Sequence, residues 1–144
     1  MGKKKVEFNS VVIATFSAWK NGIRTPTNGM IEPLLSFFGP KASEIILIDD
    51  PHPGSDNIIP KIELYRESKL IKRERPVFLF PPLFILKRFN TLKTQPTFKI
   101  RDFITIMQVL LRKKTPTDLF IGLESINALA GIIFRKLGKV KTVV

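Results

Sequence analysis

No cysteine occurs among the 144 residues, which excludes a disulfide framework, thiolate metal sites and a cysteine nucleophile. The single histidine, His52, excludes multi-histidine metal chemistry. Long apolar runs are also missing. The longest uncharged one, Val77 to Leu86, has ten residues and two prolines, whereas a spanning helix needs about 20. The basic run Lys3 to Lys5 is followed by no long apolar region with a small-residue cleavage site, so a secretory signal is not expected. A cytoplasmic setting follows as the expectation. No G-x-G-x-x-G follows the first apolar run, and no G-x-x-x-x-G-K-[ST] occurs anywhere, so dinucleotide binding and P-loop chemistry lack motif support.

Positive charge and apolar residues are abundant. Lys and Arg number 24 against 12 Asp and Glu, a net +12, and 44% of the chain is hydrophobic. That is too much Leu, Ile, Val and Phe for a disordered basic tail, and the length suits one domain with its own core.

The order of elements is read from periodicity. Ser10 to Ser17 is a short β-branched run suited to a strand buried on both faces. A polar loop from Ala18 to Gly29 follows, then a helix carrying Met30, Ile31, Leu34, Leu35, Phe37 and Phe38, with Pro33 tolerated near its first turn. Glu44 to Ile48 is a second buried strand, broken by Asp49 to Gly54. Lys61 to Arg75 reads as a hairpin around Arg66 to Lys69, although Pro60 could equally open a charged helix. Residues 76–98 form an irregular basic and apolar insertion within a single domain spanning residues 1–144. Lys99 to Lys114 carries a broad apolar helical stripe, Asp118 to Gly122 a short strand, Ile126 to Leu137 a helix stopped by Gly138, and Val140 to Val144 a last strand. The chain stops inside that strand with no covering helix, so truncation at the C-terminus is expected.

Such an alternation predicts an open, mostly parallel sheet whose ligands bind at the carboxyl ends of the strands. Three segments emerge there: Ser17 to Gly29, Asp49 to Asn57 and Leu123 to Asn127. Trp19, Lys20, Asn21, Gly22 and Arg24 offer a stacking ring, donors and flexible backbone for an anionic or polyhydroxylated ligand; a solvated turn is the alternative. Glu124 could act as a base or hydroxyl acceptor while Ser125 caps the helix, or the pair could be a plain capping segment. Asp49 and Asp50 followed by proline read as a strand-ending turn rather than a metal pair. Lys61 to Arg101 holds 11 basic and 3 acidic residues around the Val77 to Leu86 run. Arg73, Arg75, Phe78, Phe80, Phe84, Lys87 and Arg88 there suit an anionic membrane surface better than nucleic acid, or else a charged rim on a packed core.

The stretch Asp118-Leu119-Phe120-Ile121-Gly122-Leu123-Glu124-Ser125-Ile126-Asn127-Ala128-Leu129-Ala130-Gly131, continuing through Arg135-Lys136-Leu137-Gly138 to Val144, resembles the N-terminal Rossmann-like domain of GT-B glycosyltransferases. The resemblance runs from the Ser10 strand onward. It implies a three-layer α/β domain that supplies the acceptor side of a hexosyltransferase-type enzyme. The sugar would pass from a nucleotide-sugar co-substrate to an acceptor hydroxyl. Glu124 is then the candidate catalytic residue, and Trp19, Lys20, Asn21, Gly22, Ser125 and Asn127 are the candidate acceptor-binding ones. The partner would be a donor-binding C-terminal domain absent from this chain, which is expected to be inactive alone and to bind no cofactor or metal. A cytoplasmic, peripheral membrane location would fit the basic segment. The alternative from another class is a non-catalytic basic α/β module that docks on anionic lipid or RNA.

Overall fold

The computed structural model describes residues 6–26, 29–52, 54–76 and 95–144. Phe78, Phe80, Phe84, Lys87 and Arg88, and with them most of the expected insertion, lie outside the described residues. The elements run β1 (Phe8–Lys20), β2 (Ile23–Pro26), α1 (Ile31–Phe38), β3 (Ala42–Pro51), β4 (Lys61–Arg66), β5 (Lys69–Glu74), α2 (Gln95–Arg112), β6 (Thr117–Gly122), α3 (Ser125–Lys136) and β7 (Val140–Val143).

Six strands lie side by side in the order β5-β4-β3-β1-β6-β7, and β2 adds to the far end of β1. The centre is parallel: β1 pairs with β3 on one side and β6 on the other, and β7 pairs parallel with β6. The hairpin β4–β5 extends the β3 side antiparallel. Its sequence basis is the alternation from Ile62 onward, and its two-residue turn places Glu67 at φ 50° and Ser68 at φ 64°, the left-handed geometry that matches strand twist. The charged helix that Pro60 could have opened is not formed.

Alternation along β1 sorts the core into two halves. Val11 and Ile13 pack with Ile45, Leu47, Leu119 and Ile121 under Ile31 and Phe38 of α1. Val12 and Ala14 pack with Ile48 and Phe120 under Ile106 and Leu110 of α2 and Ala130 and Phe134 of α3. The expected three-layer α/β architecture is therefore present, its sheet mixed, parallel at the centre and antiparallel at β2 and toward the β5 edge. Each large side chain buried this way contributes about 1.5–3 kcal/mol.

The structure also departs from expectation at several boundaries. The Ala18 to Gly29 loop is instead a β-hairpin, since β1 runs on to Lys20 and turns at Asn21 (φ 52°) and Gly22 (φ 76°) into β2. Asn-Gly is the dipeptide that makes such a turn inexpensive. Helix α2 begins at Gln95 rather than Lys99, because Pro96 fits a first turn, where no N–H is needed. Among the described residues no helix is long and apolar enough to cross a membrane.

Two glycines set how closely α3 lies on the sheet. A Cβ on Gly122 would stand 2.5 Å from the Ala128 backbone nitrogen, and one on Gly131 would stand 2.6 Å from the Phe120 ring. In urea unfolding, Gly122→Ala should cost about 3 kcal/mol, because backbone must move. Gly131→Ala should cost about 1–2 kcal/mol, part of the clash being offset by the better helix propensity of alanine. A neutral Gly122→Ala would contradict this packing.

Candidate functional site

The chain steps from β1 to β3 on one side and later to β6 on the other, so the order reverses beside β1, the position where open α/β sheets bind ligands. There β1 outruns β6: their register ends with Ala14 opposite Gly122, and Leu123 N–H donates to the Ala14 carbonyl at 3.0 Å. Beyond that point a cleft of about 100 Å³ opens on the α2–α3 face, lined by Phe16, Pro51, His52, Phe98, Lys99, Arg101, Asp102 and Glu124. It gathers the ends of β1 and β3, the first turns of α2 and the loop entering α3.

Two aromatic rings form one wall, Phe16 and His52, with centroids 6.1 Å apart. His52 N–H donates to the Ser17 carbonyl at 2.9 Å, and Gly54 N–H donates to His52 Nδ1 at 3.3 Å. That bond leaves the proton of the neutral ring on Nε2. Arg101 is buried and spans the site: Nε donates to Asp102 Oδ1 at 2.7 Å, Nη1 donates to the Ile58 carbonyl at 3.0 Å, and Cζ lies 4.6 Å from the Phe98 ring centre.

Behind this wall Asp50 is fully buried, and among the described residues neither of its carboxyl oxygens has a hydrogen-bond partner. Burial and the adjacent Asp102 push its carboxyl well above the ordinary carboxylate range. Burial likewise pushes Asp102 up to about 6, against the pull of Arg101. Asp49 and Asp50 are thus not a strand-ending turn but buried positions inside β3, followed by the buried Pro51, and strand alternation sends them to opposite faces. Among the described residues no group of three or more His, Asp or Glu side chains is placed to hold a metal.

Of the catalytic and acceptor-binding candidates expected from the sequence, only Glu124 lines this cleft, joined by Pro51 and His52 of the expected strand-end segment Asp49 to Asn57. Glu124 is the N-cap residue of α3 (φ −135°, ψ 159°) and its side chain makes no capping bond. Ser125, expected as the cap, is already the first helical residue, so the carboxylate one position earlier is left to the cleft. Asn127 lies fully buried in the first turn with its Oδ1 unpartnered among the described residues. Trp19 is on the α1 face instead, its Nε1 donating to Asp49 Oδ2 at 3.0 Å. Lys20, Asn21 and Gly22 form the exposed β1–β2 tip, where Asn21 N–H donates to Asp56 Oδ2 at 2.8 Å. Arg73 and Arg75 are exposed at the β5 edge.

Sequence reasoning missed Phe16, Phe98, Arg101 and Asp102. The last three were read as part of the basic segment or of a helix stripe, and only the crossing of α2 over the sheet end brings them to Glu124. Comparison of the chain with protein-family models, with curated proteins and with solved structures finds no match.

The carboxyl pair has a pH signature. A raised folded-state pKa contributes stability that is complete below the unfolded carboxylate value near 4 and is lost as pH rises through the folded value. For Asp102 that loss runs from about 4 to about 6, and Asp50, raised well above the ordinary carboxylate range, extends it upward. Melting temperature should therefore fall as pH rises from about 4 through about 6 and beyond, and Asp50→Asn should flatten that fall. Equal slopes in wild type and Asp50→Asn would show that Asp50 carries no such proton.

Proposed function

We propose that this domain supplies the acceptor side of a glycosyl transfer from a nucleotide sugar, with the switch-point cleft holding the acceptor. The observation that carries the reading is the make-up of that cleft: aromatic rings (Phe16, His52, Phe98) beside fixed charged groups (Arg101, Asp102, Glu124). Apolar rings suit the faces of a sugar, and planar charged groups suit its hydroxyls. Glu124, unengaged by its own helix, takes the proton of the acceptor hydroxyl as general base. The acceptor oxygen then bonds to the sugar's anomeric carbon, while the bond from that carbon to the phosphate breaks and the nucleotide leaves with the electron pair. Donor binding falls to a second domain, so this chain alone is inactive. Asn127 and Ser125 support the Glu124 loop, and the exposed tip Lys20-Asn21-Gly22 reaches toward a larger acceptor.

A peripheral location at an anionic membrane is part of the proposal. The edge strand β5 exposes Leu70 and Ile71 between Lys69, Lys72 and Arg73, with Arg75 just beyond, an apolar pair within positive charge that suits such a surface.

Saturation-transfer NMR on the full chain tests the reading. Saccharides should give signals and the nucleotide part of a nucleotide sugar none, and both Glu124→Ala and His52→Ala should weaken saccharide binding by about tenfold, or 1.4 kcal/mol. No saccharide binding, or binding indifferent to both variants, contradicts it. Binding of anionic vesicles or RNA in that event would favour the non-catalytic basic module.

A further inference from the structure

The other face of the same sheet edge carries a second cluster, independent of the cleft and of any role in glycosyl transfer. Trp19 is nearly fully buried there, and three cations surround its ring: Lys61 Nζ 2.7 Å from the ring centre, Arg24 Cζ at 5.0 Å and Arg73 Cζ at 5.7 Å. Two carboxylates lie below them, Asp49 and Glu63, both fully buried. Arg24 bridges these, with Nε 2.8 Å from Asp49 Oδ2 and Nη2 2.7 Å from Glu63 Oε2. Glu63 is further held by Arg73 Nε at 2.7 Å and by Tyr65 OH, which donates to Oε2 at 2.7 Å.

Three cations therefore face two anions, and both anions are already engaged. Lys61 makes no hydrogen bond or ion pair among the described residues. Arg73 spends Nε on Glu63, and its side chain is 48% exposed. An ammonium beside two guanidiniums, offset only by the Trp19 ring face and by two carboxylates already bridged by Arg24, lacks a full counter-charge, and perturbed charged groups of this kind gather where ligands bind. Burial and the neighbouring Arg73 pull the Lys61 pKa down to about 8.

We propose that Lys61 and Arg73, standing over Trp19 with Arg24 as a fixed floor, form a binding site for a phosphate group. A phosphate carries close to two charges at neutral pH and offers acceptor oxygens to both an ammonium and a guanidinium fork. It supplies the negative charge that Asp49 and Glu63, held by Arg24, do not. The group could come as a soluble phosphomonoester or as a lipid headgroup, since the recognised chemistry is the same.

Trp19 is the only tryptophan in the sequence, so its fluorescence reports on this site alone. The full chain is titrated with inorganic phosphate at constant ionic strength held by chloride. A saturable change is expected, weakened at least about tenfold in Lys61→Met, which keeps an aliphatic cover on the ring, and in Arg73→Gln. Arg73→Lys should retain part of the affinity, and Lys141→Gln, at the remote β7 edge, should leave it unchanged. Affinity should also fall as pH rises through about 8, the charged groups around Lys61 being Arg24 from β2, Asp49 from β3, Glu63 from β4 and Arg73 from β5. Melting temperatures establish that each variant is folded. Glycerol phosphate and phosphatidate vesicles then separate the sources: tighter binding to the first assigns a soluble ester, and tighter binding to the second a lipid headgroup. No change beyond the chloride control, or a change that survives in both Lys61→Met and Arg73→Gln, overturns the site.

Discussion

The parallel ladder that β1 makes with β3 and β6 at once is the constraint on which the rest depends. Val11 to Ala14 are inaccessible on both faces and hydrogen-bonded on both edges, so this strand has a single possible register. A slip of one residue would send Val11 and Ile13 to the α2–α3 face and Val12 and Ala14 to the α1 face. It would also exchange what lies at the carboxyl end. With the observed register, Phe16 faces the α2–α3 cleft while Ser17 and Trp19 join the charged cluster under β2 and β5. One strand thus assigns its successive side chains to two chemically different places.

The same alternation divides the acidic residues of β3. Asp49 reaches Arg24 and Trp19, whereas Asp50 faces the other way into surroundings that raise its pKa well above the ordinary carboxylate range. Burying an uncompensated carboxylate is costly, and neutralisation is the usual escape. The two sides of the edge accordingly differ in character. One holds carboxyl groups short of positive charge, with Arg101 shared among them; the other holds cations in excess over two carboxylates already bridged by Arg24.

Much of the fold was legible because local chemistry and tertiary structure agree. The β-branched run at Val11, the alternation from Ile62, the apolar stripe of α2 and the Gly138 stop each correspond to the expected kind of element. Other features carry competing signals. Asn21-Gly22 is a strong hairpin dipeptide, but the prolines and polar residues after it favoured a loop. The site was less legible for a physical reason: its members are set by register and crossing rather than by spacing. Nothing near Lys61 in sequence says that it stands opposite Asp49, or that Arg73 stands opposite Glu63, until β3, β4 and β5 are aligned. Arg101 and Asp102 likewise become cleft residues only once α2 lies across the sheet end. Glu124 was visible because it sits at a strand-to-helix junction, a place where sequence position and sheet topology coincide.

If the double ladder of β1 holds both sides of the edge in place, its amides must be the last to open. Native-state hydrogen exchange on the full chain measures this directly. The account predicts that Val11 to Ala14 exchange only through global unfolding. The amides of His52, Gly54 and Asp56 at the sheet edge, and those of the β5 edge strand, should exchange through smaller openings that leave β1 protected. Exchange of the Val11 to Ala14 amides as readily as those of β5, without global unfolding, would contradict it.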